Sequence, residues 1–248
     1  MTNEYYEPGE LRTARVKDLF TRIASRYDLI NDLQSFGLHR RWKRRVMSLA
    51  RPDHNDTALD LCCGTGDLAL LLASRCGRVV ALDFTERMLE VALKRAEVMS
   101  SVSGVDDTKH CVPQYVQGDA LQLPFPNQTF DLVTVAYGLR NLADLKAGLS
   151  EMRRVTKPGG RILALDFGKP DNSVWRSLYF TYLRVFVPVL GRIFCGSASA
   201  YGYILESLKH YPAQRGVAAQ MKELGLSNVR IINLMGGVMS INYAENRV

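Results

Sequence analysis

The clearest chemical signal in the chain is the run Ala58-Leu59-Asp60-Leu61-Cys62-Cys63-Gly64-Thr65-Gly66-Asp67-Leu68-Ala69. An apolar stretch closes on an acid, passes two glycines and resumes as a helical pattern, which reads as strand, tight turn and helix N-terminus. Such a turn aims backbone N–H groups at a bound nucleotide-like ligand. Gly64 and Gly66 leave room for both the turn and the ligand. Because Gly64-x-Gly66-x-x-Ala69 also satisfies the dinucleotide fingerprint, the loop alone does not choose the cofactor. Asp83 ends the next apolar run, roughly twenty residues on, where a ribose-binding acid belongs. A third run, 114–120, closes on Asp119. Three carboxylates, Asp60, Asp83 and Asp119, are therefore expected along one edge of a sheet.

The elements that must position them alternate. Strands are predicted at 78–82, 114–120, 130–137 and 161–166 after the first, with an amphipathic helix over 145–155 that Lys157-Pro158-Gly159-Gly160 stops. Strands alternating with helices mean a parallel, doubly wound α/β sheet with its ligand at the carboxyl edge. The late segments 229–234 and 236–241 fit an antiparallel hairpin that closes the sheet. The 248 residues suit one domain, 1–248, with a helical cap at about 10–50, a core at 55–168, an insertion at 172–212 and the hairpin at 228–245.

Lys plus Arg number 32 against 25 Asp plus Glu, a net charge of +7 that favours anionic surfaces without choosing between nucleic acid and lipid. Five cysteines without a Cys-x-x-Cys pair argue against a disulfide framework or a zinc site. The first residues show no basic-then-apolar leader, which predicts a cytoplasmic, reduced protein. Phe20, Ile23, Tyr27 and Ile30 recur at helical spacing, so one N-terminal helix is expected to lay an apolar face on the domain. Arg40-Arg41-Trp42-Lys43-Arg44-Arg45 is a dense basic cluster, read as a solvated face or an anionic-surface contact. The insertion carries Trp175, Tyr179, Phe180, Tyr182, Phe186, Phe194, Tyr201 and Tyr203. Arginines interrupt it and Pro188 is expected to break its helix, so it reads as an aromatic lid suited to a large apolar ligand. The polar stretch 106–110 reads as a loop without a function.

Taken together, Asp60-x-x-x-Gly64-x-Gly66, Asp83, Gly118-Asp119-Ala120 and the Lys-Pro-Gly-Gly turn resemble the Rossmann-like, class I S-adenosylmethionine-dependent methyltransferases. Arg22-Ile23-Ala24-Ser25-Arg26-Tyr27-Asp28, Ser35-Phe36-Gly37-x-His39-Arg40-x-Trp42-Lys43, Leu123-Pro124-Phe125-Pro126 and above all Ala136-Tyr137-Gly138-Leu139-Arg140-Asn141 narrow this. They resemble the ubiquinone/menaquinone biosynthesis C-methyltransferases over nearly the whole chain. The resemblance implies C-methylation of a prenylated benzo- or naphthoquinol using S-adenosylmethionine, without a metal. By position it places the cofactor on Thr65, Asp83, Asp119, Ala120 and Ala136, with Asp83 on the ribose, and the acceptor on residues 138–141. The turn residues Asp60, Gly64 and Gly66 join the cofactor site, and Tyr27 is either a core aromatic or a phenol that bonds the methionine carboxylate. Arg140 and Asn141 are then the catalytic candidates. Arg140 cannot readily accept a proton, so it is read as a fixed charge that lowers the quinol pKa and orients a water. Asn141 is read as holding that water or the second quinol oxygen.

Two departures bear on the acceptor. Ser240-Ile241-Asn242-Tyr243-Ala244-Glu245 replaces the His and Lys with which many members end the hairpin, and Gly202 stands between Tyr201 and Tyr203 in place of a basic residue. Cyanobacterial and plastid members that methylate demethylphylloquinone share the first departure. Expected partners are the prenylated quinol and a transient anionic membrane surface, with peripheral membrane association, no nucleic acid and a homodimer left open. The alternatives are a small-molecule O- or N-methyltransferase on the same scaffold and a nicotinamide-dependent oxidoreductase.

Overall fold

The computed structural model describes residues 10–102, 111–195 and 199–247. The stretch 106–110 lies outside them, as do the side chains of Phe194, Tyr201 and Tyr203. The cap is formed by α1 (Glu10–Ile23), α2 (Tyr27–Ser35) and α3 (Leu38–Ala50). Next come β1 (Thr57–Leu61), α4 (Asp67–Ala73), β2 (Arg78–Asp83), α5 (Glu86–Val102), β3 (Gln114–Gln117) and β4 (Phe130–Ala136). Then follow α6 (Leu145–Val155), β5 (Thr156–Phe167), α7 (Ser173–Cys195), α8 (Ser199–His210), α9 (Ala213–Glu223), β6 (Ser227–Leu234) and β7 (Met239–Glu245).

The seven strands lie in the order β3-β2-β1-β4-β5-β7-β6, parallel except for β7, which runs antiparallel between β5 and β6. The chain order reverses between β1 and β4, and a ligand crevice opens outside the strand ends at that switch point. Leu59, Leu61, Val133, Val135 and Ile162 face one buried cluster with Leu149, Met152, Val217 and Met221 of α6 and α9. Ala58, Val79, Ala81, Leu132 and Leu163 face the other with Val46, Leu68 and Leu72 of α3 and α4. Alternate residues of each strand thus serve opposite layers. Asp144 caps α6 by accepting the Ala147 N–H at 2.9 Å.

Three expectations change. The predicted N-terminal helix is broken: a 3₁₀ turn over Ala24–Arg26 separates α1 from α2, so the spacing from Phe20 to Ile30 spans two helices. Pro188 does not break its helix; α7 runs through it. The fifth strand begins at Thr156 rather than 161, with Lys157-Pro158-Gly159-Gly160 forming an irregularity inside it where the register against β4 jumps.

Candidate functional site: two pockets at the switch point

The turn that follows β1 is held from both sides. The Asp83 carboxylate, at the end of β2, accepts the Gly64 N–H at 2.9 Å and the Thr85 N–H at 2.9 Å. Burial raises its pKa, and these N–H donors oppose the rise. Gly66 has φ +84°, and a Cβ there would sit 2.8 Å from the Tyr115 hydroxyl, so packing as well as conformation requires glycine.

The second turn, after β4, carries the Gly138-Leu139-Arg140-Asn141 motif. A Cβ on Gly138 would lie 2.6 Å from Cys62 Cβ and 2.9 Å from Val135, so glycine is what lets the two turns meet. Tyr137 takes φ +63°, an unusual conformation for a bulky residue and one that clusters at functional sites. Its carbonyl accepts from Arg140 Nη1 and from Asn141 Nδ2, each at 3.1 Å. Arg140 Nη1 also donates to Asn141 Oδ1 at 2.9 Å, and the guanidinium lies 4.9 Å over the Phe167 ring. Asn141 thus braces Arg140 through its amide oxygen, while its amide nitrogen bonds the Tyr137 carbonyl.

Two pockets open here. Tyr27, Gly64, Asp83, Met88, Ala136 and Asn141 line the smaller. The larger is a cavity of about 340 Å³ with a mostly apolar lining that includes Ile23, Ile30, His39, Arg140, Tyr179 and Leu183. Phe20, Tyr27 and Tyr137 belong to both. In that shared wall, burial pushes the Tyr27 phenol up to about 12, against the influence of Asn31 and Arg140.

The acid that lines the smaller pocket suits the ribose of a nucleoside. Each Asp83 oxygen, after accepting one backbone N–H, keeps a lone pair for a ribose hydroxyl. Above Gly64, the space a Cβ would take is bounded only by Tyr27 Cε1 at 3.7 Å.

The structure brings Tyr27, Gly64, Asp83, Ala136 and Asn141 to this pocket, and Arg140 to the larger one. Asp60, Thr65, Gly66, Asp119 and Ala120 are not among the residues that line the smaller pocket. Asp60 is buried under the turn, accepts the Thr134 hydroxyl at 2.7 Å and is pushed by burial to about 7. Thr65 donates its hydroxyl to Asp28 at 2.7 Å. Asp119 is exposed and closes its own turn on the Leu121 N–H at 2.8 Å, beside the buried Ala120. Gly118 N–H to Asp83 O, 3.0 Å, ties that turn to β2.

Sequence reasoning missed the network that locks the cap to the first turn. Lys43 of the basic cluster is buried and pairs with Asp67 at 2.7 Å. Arg95 of α5 joins Asp67 to Asp28, and donates to the Thr65 carbonyl at 3.0 Å. His39 bonds Asp32 at 2.8 Å. Against a burial that would raise it, Lys43 and Arg95 hold Asp67 down to about 2. Trp42 is buried too, leaving only Arg40, Arg41, Arg44 and Arg45 of the cluster exposed.

A seven-stranded sheet of this order with a pocket at its switch point is the architecture of the Rossmann-like S-adenosylmethionine-dependent methyltransferases. Solved structures agree on the fold. A SAM-dependent methyltransferase from Aquifex aeolicus superposes with TM-score 0.55 at 16% identity, over 82% of this chain and 89% of that one. The [4+2]-cyclase SpnF superposes with TM-score 0.61 at 15% identity, over 95% and 97%. A cyclase on this scaffold shows that the fold alone does not fix the reaction. The sequence does: residues 9–246 match the model of the ubiE/COQ5 methyltransferase family, and the chain belongs to that family. It is 36% identical to the demethylmenaquinone methyltransferase of Bacillus licheniformis, over 94% of this chain and 97% of that protein. It is 40% identical to the ubiquinone/menaquinone biosynthesis C-methyltransferase UbiE of Xanthomonas oryzae, over 92% and 88%. The protein is thus an S-adenosylmethionine-dependent C-methyltransferase of quinone biosynthesis, and nothing favours the O-/N-methyltransferase or oxidoreductase alternatives.

Proposed function

We propose that this methyltransferase acts on a prenylated demethyl-quinol whose ring enters the larger cavity and meets Arg140, while Tyr27, Gly64, Asp83 and Ala136 hold the cofactor in the smaller pocket. When bound, S-adenosylmethionine supplies an electrophilic methyl group. The carrying observation is that a buried guanidinium stands in the mostly apolar wall of a cavity that shares Tyr27 and Tyr137 with the cofactor pocket.

A quinol ring carbon becomes nucleophilic when the neighbouring hydroxyl loses its proton and the oxygen's charge spreads onto the ring. Arg140 stabilises that phenolate as a fixed positive charge, and solvent carries the proton away. Asn141 and the Tyr137 carbonyl keep the guanidinium in place. Methyl transfer would exchange the sulfur–methyl bond for the new carbon–carbon bond and leave S-adenosylhomocysteine, and the ring carbon then gives its proton to solvent so that aromaticity returns. Holding ring and methyl donor in adjoining pockets supplies the alignment, worth roughly 7–11 kcal/mol in well-oriented reactions.

The acceptor's tail leads out toward lipid. Phe36 (79% exposed), Leu178 (58%) and Trp175 (40%) line the cavity and also face solvent, forming an apolar mouth. The exposed arginines at 40, 41, 44 and 45 follow Phe36 in α3. This supports peripheral docking on an anionic bilayer. Among the described residues, no helix is long and apolar enough to cross a membrane. Methyl transfer assayed across prenylated demethyl-naphthoquinols, including demethylphylloquinol, and demethyl-benzoquinols tests the acceptor. Turnover of one prenylated class is expected; turnover of none of them contradicts the reading.

A further inference from the structure

Tyr179 of α7 is 6% exposed and lines the larger cavity, and its hydroxyl has no hydrogen-bond partner among the described residues. A buried hydroxyl left unpaired is costly and needs a reason. The charged and titratable groups that face it are Arg140 after β4, Asp166 on β5 and Tyr182 one turn along α7. Tyr27 and Tyr211 also feel the Arg140 guanidinium. Tyr182 is committed to the Gln34 carbonyl at 3.0 Å, and Tyr27 bonds Asn31. Tyr137 has an unpartnered hydroxyl as well, but its ring lies under the Lys43 ammonium at 5.7 Å, on the cap side. Tyr179 is the orphaned donor that shares the field of Arg140 and Asp166 without a tie to the cap.

We propose that the Tyr179 hydroxyl donates a hydrogen bond to the acceptor oxygen that ionises, so that Tyr179 and Arg140 together hold the phenolate. The proposal rests on the quinol reading above. Burial drives the Tyr179 phenol far above its ordinary value, so it stays a donor throughout the range in which a quinol ionises. No proton leaves Tyr179: it shares its hydrogen with the oxygen whose own proton has gone to solvent. A donor matched to developing negative charge gains strength as the charge forms, which is the condition for lowering a barrier rather than merely tightening binding.

The test uses a 4-alkoxy-1-naphthol, which has one ionisable hydroxyl and resists the air oxidation that a free quinol undergoes, with the titration run anaerobically. Its absorbance is titrated against pH when bound to the protein loaded with S-adenosylhomocysteine. Wild type should lower the probe's pKa, and Tyr179→Phe should return it upward by one to two units, about 10–100-fold in the ionisation constant, as expected for a hydrogen bond to a charged oxygen. The acid limb of the kcat profile should move up by the same amount. With a ring-halogenated, more acidic acceptor, the gap in kcat between the two proteins should narrow. An unchanged probe pKa in a variant that binds the probe, or an equal kcat loss on acidic and ordinary acceptors, overturns the Tyr179 assignment alone. A wild type that binds no probe and methylates no quinol overturns the quinol reading, and this proposal with it.

Discussion

Asp166 holds Arg140 at two points: its Oδ2 accepts the Arg140 backbone N–H at 3.1 Å, and its Oδ1 lies 3.8 Å from Nε. Both residues are buried. The guanidinium's Nη1 hydrogen bonds go to neutral carbonyl oxygens, Tyr137 O and Asn141 Oδ1, rather than to the carboxylate. Asp166 spends itself on backbone, since Oδ1 also accepts the Phe167 N–H at 2.8 Å. The arrangement fixes the position of the cation through the turn that carries it.

That turn depends on its glycine. In Gly138→Ala the new Cβ collides with Cys62 and Val135, so the turn must shift and carry Arg140 with it. A displacement of about 1 Å can cost on the order of 10²-fold in rate. We expect kcat to fall at least tenfold while homocysteine-product affinity changes less. Cys62 has φ +51°, which glycine adopts without strain, so Cys62→Gly added to Gly138→Ala should restore part of the rate. A double variant no faster than Gly138→Ala would show that this contact is not what matters.

Asp83 anchors the first turn and is the proposed partner of the cofactor's ribose. Asp83→Ala removes the acceptor for two backbone N–H groups and for a ribose hydroxyl, interactions of about 1.5–3 kcal/mol when a charged group takes part. Affinity for S-adenosylhomocysteine by calorimetry should drop at least tenfold, with the circular dichroism spectrum retained. Undiminished affinity would remove Asp83 from the cofactor site.

The cap network sets a pH dependence of stability. Asp67 is lowered from 3.8 to about 2 in the fold, a difference worth about 2 kcal/mol. Because the folded value is the lower one, this stability is complete above pH 4 and is lost as pH falls toward 2. In urea titrations wild type should exceed Asp67→Asn most at pH 6, and the advantage should shrink from pH 4 downward. An advantage that does not vary between pH 6 and 3 would rule out the ionised Asp67 as its source.

Membrane docking is checked by sedimentation with vesicles. Binding to anionic vesicles should fall with salt, each basic residue near the surface contributing about 1 kcal/mol. Phe36→Asp should weaken it further by placing a charge in the apolar mouth. Equal binding to neutral and anionic vesicles, or none to either, contradicts a charged docking face.

Much of this was legible in the sequence because it follows from local pattern. Alternating apolar runs ending at Asp60, Asp83 and Asp119 marked out the parallel sheet, and Gly64 and Asp83 do meet at its switch point. Non-local chemistry was hidden. Lys43 reads as one more charge in a basic run, and only the fold brings Asp67 2.7 Å from it. Arg95 sits inside an amphipathic helix with no sequence signal that it reaches Asp28 and Thr65. The continuity of α7 through Pro188 also escaped the pattern, since the breaker rule is a local cost that tertiary packing overrides; Leu183 and Val187, just before the proline, are buried in the core. Phe20 and Tyr27 share a helical period yet sit on opposite sides of a 3₁₀ turn, with their rings 6.0 Å apart.

The central claim is that a fixed cation, rather than a protein base, makes the ring carbon nucleophilic. The direct measurement is kcat for Arg140→Ala across pH, beside its affinity for S-adenosylhomocysteine. A fixed-cation role for Arg140 entails a loss on the order of 10²–10³ in kcat near neutral pH. Affinity should stay within about threefold of wild type, and activity should partly recover at high pH, where hydroxide ionises the quinol unaided. Arg140→Lys should rescue little, because an ammonium cannot keep the planar hydrogen-bonded fork. A variant with wild-type kcat, or one whose entire loss is traced to cofactor affinity, would contradict it.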